Sequence, residues 1–277
     1  MNLFATAASG GLVPYPSSPA VVLGFINNNV SPTSAAGIVQ YNTVGQKFPQ
    51  ASIGNGFPNY PLTTQIVLDP TQPFVRMPIF PTRGTTYSYV NNLPITAPEI
   101  TAANGVIHTA YSVAVPPSAT LKTMIAGEAT LSYFRAAIAR ADSGTVAGTS
   151  QFDYLLGYGV TNMTVLAPND AAFQTLIFGL AFQAYLSTRP LPYTAMDTLI
   201  ATATGNGAVA AGPAFLSTNN VSTAMVKGIV AYHFLASLTS STTTPYQPNI
   251  RVFSNTVPST PGFFIKTLVN SSFSTHP

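Results

Sequence analysis

An internal repeat is the feature that most narrows what this chain can fold into. Asn28-Asn-Val-Ser-Pro-Thr-Ser-Ala-Ala-Gly-Ile-Val-Gln-Tyr41 is echoed by Asn219-Asn-Val-Ser-Thr-Ala-Met-Val-Lys-Gly-Ile-Val-Ala-Tyr232. The Asn-Asn-Val-Ser start, the Gly-Ile-Val run and the final Tyr recur, each pair 191 positions apart with no gap. Self-similarity at one fixed offset marks duplicated structural units, so the chain is expected to hold two copies of one domain type. In each copy the Ser after Asn-Asn-Val, Ser31 or Ser222, suits a helix N-cap. A short helix then delivers Tyr41 or Tyr232 toward a core. The copies diverge at the next residue, where His233 follows Tyr232 but Asn42 follows Tyr41.

A second landmark is Thr164-Val-Leu-Ala-Pro-Asn-Asp-Ala-Ala-Phe173. Its first four residues are apolar with a β-branched pair and read as a buried strand end. Pro168 stops the strand. Asn169 or Asp170 then caps a helix, and the acid suits that helix's positive end. Ala171 to Phe173 open the helix, which runs on through Leu176, Ile177 and Leu180. A third landmark is Pro98-Glu-Ile-Thr-Ala-Ala-Asn-Gly-Val-Ile-His108. Here Asn104-Gly105 supplies a tight turn, and a strand is expected from Val106 to Val115 before Pro116-Pro117.

These landmarks resemble the fasciclin-type (FAS1) domain family. Thr164 to Phe173 is similar to its first signature, carried here by Thr164, Pro168, Asn169, Asp170 and Phe173. Tyr232-His233 is similar to its Tyr-His motif, of which the first copy keeps Tyr41 and loses the His. Asn104-Gly105-Val-Ile-His108 resembles the signature that closes such a domain. The resemblance implies an α+β fold: a β-wedge or sandwich with packed helices, in two tandem copies. On this reading residues 1–118 are the C-terminal part of a first domain. Residues 119–277 form a second domain that lacks its closing strands, because no second Asn-Gly-Val-Ile-His follows. The chain thus reads as truncated at both ends.

Between the landmarks, residues 1–20 read as loop and Val21 to Asn27 as helix. Strands are expected at Gln65–Leu68, Phe74–Phe80 and Thr85–Val90, several at edges because Pro cannot donate to a ladder. Asn55-Gly56 is a turn signal. Residues 119–143 read as helical, with Leu121, Met124, Ile125, Leu131, Phe134 and Ile138 inward, Arg135 and Arg140 outward, and a stop at Asp142-Ser-Gly144. Ala203–Pro213 reads as a Gly/Ala loop and Ser237–Pro248 as a Ser/Thr/Pro loop. Further strands are expected at Ile250–Phe253 and Phe263–Leu268.

Composition narrows the function. Only 6% of residues are charged, far below the usual quarter, so Ser, Thr, Asn and Gln supply the polar surface. The net charge of +3 rests on ten scattered cations. No basic stripe is present to neutralise a phosphate backbone, and nucleic acid is not an expected partner. There is no Cys, so disulfides and thiolate metal sites are excluded. No apolar run is long enough to span a bilayer. The N-terminus lacks a signal-peptide pattern, so export information is expected to lie outside this sequence or to have been removed.

Chemistry-bearing residues are sparse. The three His, at 108, 233 and 276, have no second ligand at metal spacing, and no metal or cofactor is expected. His108 and Tyr232-His233 read as core residues whose polar tips find backbone partners. No two of the seven carboxylates are close in sequence as an acid–base pair, and no nucleophile elbow or phosphate loop is present. Asp170 reads as a cap. Glu99 reads on its own sequence as a solvated loop acid. The resemblance adds a second reading, in which Glu99 and Ile100 bind a partner. Asn29, Asn162, Asn220 and Asn270 stand in glycan-acceptor triplets, a weak signal in so polar a chain.

The resemblance therefore implies a non-catalytic extracellular or cell-surface module for adhesion or matrix structure. Its partners would be an extracellular protein or polysaccharide, with self-association as a further option. A self-assembling scaffold and a glycan- or small-ligand-binding module are the alternatives.

Overall fold

The computed structural model describes residues 17–55, 61–148, 150–159, 163–217, 221–236, 251–254, 257 and 267–269. The chain divides into two units. One comprises residues 1–118 with 239–263, the other 119–238 with 264–277. The first unit thus takes in residues 239–263, which sequence reading assigned to the second domain. In its described part, Phe253 packs on Phe80 with ring centroids 5.7 Å apart.

The first unit opens with two capped helices. In α1 (Pro19–Asn29) the Ser18 hydroxyl accepts from the Val21 N–H, and Pro19 sits at the first helical position. A Ser cap followed by Pro is a strong start signal, which is why the helix begins inside the stretch expected to be loop. In α2 (Pro32–Tyr41) Ser31 accepts from Ser34 N–H at 3.1 Å.

Seven short strands follow. β1 (Leu62–Val67) pairs antiparallel with β2 (Arg76–Ile79), the register shifting between Thr63 and Val67. β3 (Pro81–Arg83), β4 (Ser88–Val90) and β5 (Leu93–Pro94) form a three-stranded meander. β6 (Ile100–Ala102) and β7 (Gly105–Ile107) form a hairpin. Pro78, Pro81 and Pro94 each sit inside a strand without an N–H to donate, which helps keep the sheets narrow. Tyr41, Leu62, Ile79 and Ala114 are fully buried between these elements.

The second unit is mostly helical. α3 (Leu121–Gly127) and a short 3-10 turn lead into α4 (Ser132–Ala141). α4 buries Tyr133, Phe134, Ala137, Ile138 and Ala141, one continuous helical face. α5 (Phe152–Gly157) and β8 (Met163–Val165) precede the long α6 (Asp170–Leu186). α7 (Ala195–Ala210) packs along α6, and α8 (Thr223–Tyr232) runs into β9 (Phe234–Ala236), which pairs antiparallel with β8. An aromatic cluster ties the unit together: Phe234 lies 5.0 Å from Phe152 and 6.4 Å from Phe134, which lies 6.3 Å from Phe173. The fold class is α+β.

Several expectations need correction. Ala203–Pro213 is not a loop. A capping box between Thr194 and Asp197 starts α7, and Gly205 sits where a Cβ would come within 2.6 Å of the Phe178 ring. The glycine is there for close helix approach, not for a turn. The strand expected to Val115 ends at Ile107, with one further bridge between Ala110 and Ile95. Arg251–Phe253 and Thr267–Leu268 are not strand. Met124 points outward, and the half-buried Arg135 donates to the Ile125 and Glu128 carbonyls at the end of α3. Arg140 is half-buried, and its buried Nε has no hydrogen-bond partner among the described residues. Gly56, Asn162, Asn219, Asn220, Ser237–Pro248, Phe263–Lys266, the Asn270 triplet, His276 and residues 1–16 lie outside the described residues.

Candidate functional site

The strand-to-helix corner forms as its sequence dictates. β8 ends at Val165, and Leu166 N–H donates to His233 O at 3.0 Å before Pro168 turns the chain. The choice between Asn169 and Asp170 as cap is resolved. Asn169 Oδ1 accepts from Ala172 N–H at 2.9 Å and caps α6 itself. Asp170 reaches across instead: its carboxylate accepts from Tyr133 N–H at 2.9 Å and from Ser132 Oγ at 2.8 Å, capping α4. Phe173 is buried one turn further on. The pairing of Thr164 with Leu235 in the β8–β9 ladder brings the corner beside Tyr232-His233.

The two repeated helices share their length, their Ser cap and their terminal Tyr, but not their surroundings. Tyr41 is 2% exposed; its hydroxyl accepts from Asn91 Nδ2 at 3.1 Å and lies 3.4 Å from Pro78 O. Tyr232 is 44% exposed, its ring edge-on to His233 at 5.6 Å, which corrects the expectation of a core residue. Val39 and Val230 reverse the order, at 66% and 0% exposed. Burial holds the His233 imidazole below the ordinary histidine range, and a hydrogen bond to the Leu166 backbone offsets part of that.

In the closing motif the two-residue turn is Ala103-Asn104, and Gly105 is already the first residue of β7. His108 is half-buried. Its Nε2 lies 2.8 Å from Phe48 O, which can only accept, so Nε2 carries a proton and donates it there. The other ring nitrogen, Nδ1, is buried and has no hydrogen-bond partner among the described residues, so the expected core histidine is only half satisfied.

Glu99 and Ile100 separate. The Glu99 carboxylate accepts from Gln50 N–H and is not a free loop acid. Ile100 turns outward, 56% exposed, directly opposite Ile107 in the hairpin register, itself 57% exposed. Residues paired across a ladder share a face, so the two side chains form one apolar spot. Ile107 could be found as its partner only once the register was known.

The remaining carboxylates are also committed. Asp69 accepts from Thr71 N–H, Glu128 from Thr130 N–H and Asp197 from Thr194 N–H. Asp142 accepts from both Phe152 and Asp153 N–H, tying the end of α4 to the start of α5, a role that sequence reading missed. Asp153 pairs with Lys122 Nζ at 2.6 Å. No group of three or more His and acids is placed to hold a metal among the described residues. Among those residues, too, no helix is long and apolar enough to cross a membrane.

No protein-family model matches the chain, and no curated protein matches it at a significant level.

Proposed function

We propose that the chain is a fasciclin-type extracellular module, with two related units, that attaches a surface or matrix to a protein or polysaccharide partner without catalysis. The observation that carries this reading is the exposed Ile100–Ile107 pair beside a tethered Glu99. It offers apolar contact on a short hairpin, and the adjacent acid is held by backbone. The commitment of each of the seven carboxylates to a backbone N–H or to Lys122 supports a structural role over acid–base chemistry. The β8–α6 corner and the matched caps of α2 and α8 support the family reading. Adhesion of cells or matrix-coated beads to immobilised protein tests it. Loss of adhesion in Ile100→Ser/Ile107→Ser, with retention in Glu99→Gln, is expected. Unchanged adhesion in the isoleucine variant rejects this surface.

A second reading is favoured by an open groove of about 600 Å³ in the first unit. Arg83, Thr85, Thr86 and the exposed Tyr87 line it, a mixture of hydrogen-bonding groups and one aromatic face that suits a glycan. A glycan array with Tyr87→Ala separates this from the apolar contact.

A further inference from the structure

The first unit is built around a hollow. A cavity of about 350 Å³ lies among the C-terminal end of α2, the narrow sheets and the β6–β7 hairpin. Its walls include Leu62, Ile79, Val90, Leu93, Val44 and Phe48, and among the described residues no charged side chain lines it. Three polar residues, Asn42, Thr43 and Gln46, are both lining and exposed, so they stand where the cavity meets solvent. Asn42 spends its amide N–H groups on the Ile38 and Ala114 carbonyls, each at 2.8 Å.

Two further observations bear on the cavity. Val44, Phe48, Val90 and Leu93 turn toward the core yet remain only partly buried. His108 also lines the hollow, and its buried Nδ1 has no hydrogen-bond partner among the described residues. An apolar cavity of ~150 Å³ already takes up benzene, and small-ligand sites begin at roughly 300 Å³.

We infer that this cavity binds a small, neutral, mainly apolar molecule carrying one hydrogen-bonding group. The apolar body enters among Leu62, Ile79 and Leu93, and the polar end meets Gln46 and the oxygen atoms of Asn42 and Thr43 at the mouth, whose own donors are given to Ile38, Ala114 and Val39 carbonyls. A charged ligand is disfavoured because no counter-charge lines the wall and burying a lone ion is costly. Ile107 belongs to the cavity wall as well as to the spot it shares with Ile100, but the cavity's ligand site stands whether or not that spot is adhesive.

N-phenyl-1-naphthylamine, a neutral fluorophore with one N–H, is the probe, titrated into the full chain. A saturable one-to-one enhancement is expected, displaced by 1-naphthol and not by 1-naphthoate. Ala110→Phe, which fills the cavity from its wall, should weaken binding at least tenfold. Leu199→Ser, which removes an exposed apolar residue of α7, should leave it unchanged. If Ala110→Phe lacks a native circular dichroism spectrum, Val106→Phe is read in its place. No saturable enhancement, undiminished binding by the folded cavity-filling variant, or loss in Leu199→Ser overturns the site. Equal displacement by the naphthoate overturns the neutral ligand class.

Discussion

Asp170 lies in the first turn of α6, yet its carboxylate caps α4, accepting the Tyr133 N–H at 2.9 Å. One acid thereby fixes where two helices of the second unit begin relative to each other, while Asn169 holds the end of α6. Helix starts leave N–H groups unpaired, and a carboxylate is the strongest side-chain acceptor for them.

Asp170→Ala should therefore cost more than Asn169→Ala. We expect about 2–3 kcal/mol for the acid, as befits a partly buried charged hydrogen bond, against about 1 kcal/mol for the cap. Asp170→Asn should recover part of the loss. Urea unfolding followed by circular dichroism checks the order; equal losses contradict the cross-helix role.

The acids also set the pH response. The Thr71 side chain and then its N–H hold Asp69 below the ordinary carboxylate range. The Thr130 N–H and then its hydroxyl do the same for Glu128, and the Thr194 hydroxyl and then its N–H for Asp197. A depressed carboxylate pKa adds stability that is complete above the unfolded value and is lost as pH falls through the folded one. His233, depressed by burial, adds a loss that begins nearer pH ~6.5. The melting temperature should therefore sag gently below pH ~6.5 and fall faster below pH ~4. His233→Gln should flatten the first phase only, and Thr194→Ala should shallow the second. A His233→Gln melting profile with the same sag as the parent removes the imidazole from the account.

Two glycines of α7 should respond in opposite directions to alanine. At Gly205 the new methyl meets the Phe178 ring at 2.6 Å, so strain of about 1–3 kcal/mol outweighs the helix-propensity gain. At Gly207 nothing lies within 4 Å, and Gly207→Ala should stabilise by about 0.5–1 kcal/mol. Phe178→Leu should relieve Gly205→Ala in a double variant. Thermal melts of the four proteins decide it.

The matched caps permit a paired test. Ser31→Ala and Ser222→Ala each remove one bond to the third helical N–H, at 3.1 and 3.2 Å. Each should cost about 1 kcal/mol. Hydrogen exchange should show the loss confined to α2 in one variant and to α8 in the other. Spread of protection loss beyond the capped helix would contradict that.

Local chemistry decided much of this protein before any packing. Ser18, Ser31 and Ser222 each start a helix, Pro168 ends β8 and Asn169 opens α6, because these residues act on their own neighbours' backbone groups. Ala203–Pro213 was misread for the complementary reason: Gly there signals a turn by propensity, but contact with Phe178 across to α6 demands it within a helix. The repeat shows the same division within a single motif. Identical residues give α2 and α8 the same cap, length and final Tyr, yet Tyr41 is buried where Tyr232 is exposed, and Val230 is buried where Val39 is exposed. A cap and a periodicity specify a helix but leave its rotation free. Which face turns inward depends on what waits there, Asn91 and Pro78 for Tyr41 and the phenylalanine cluster beside Val230, and those partners come from distant parts of the chain.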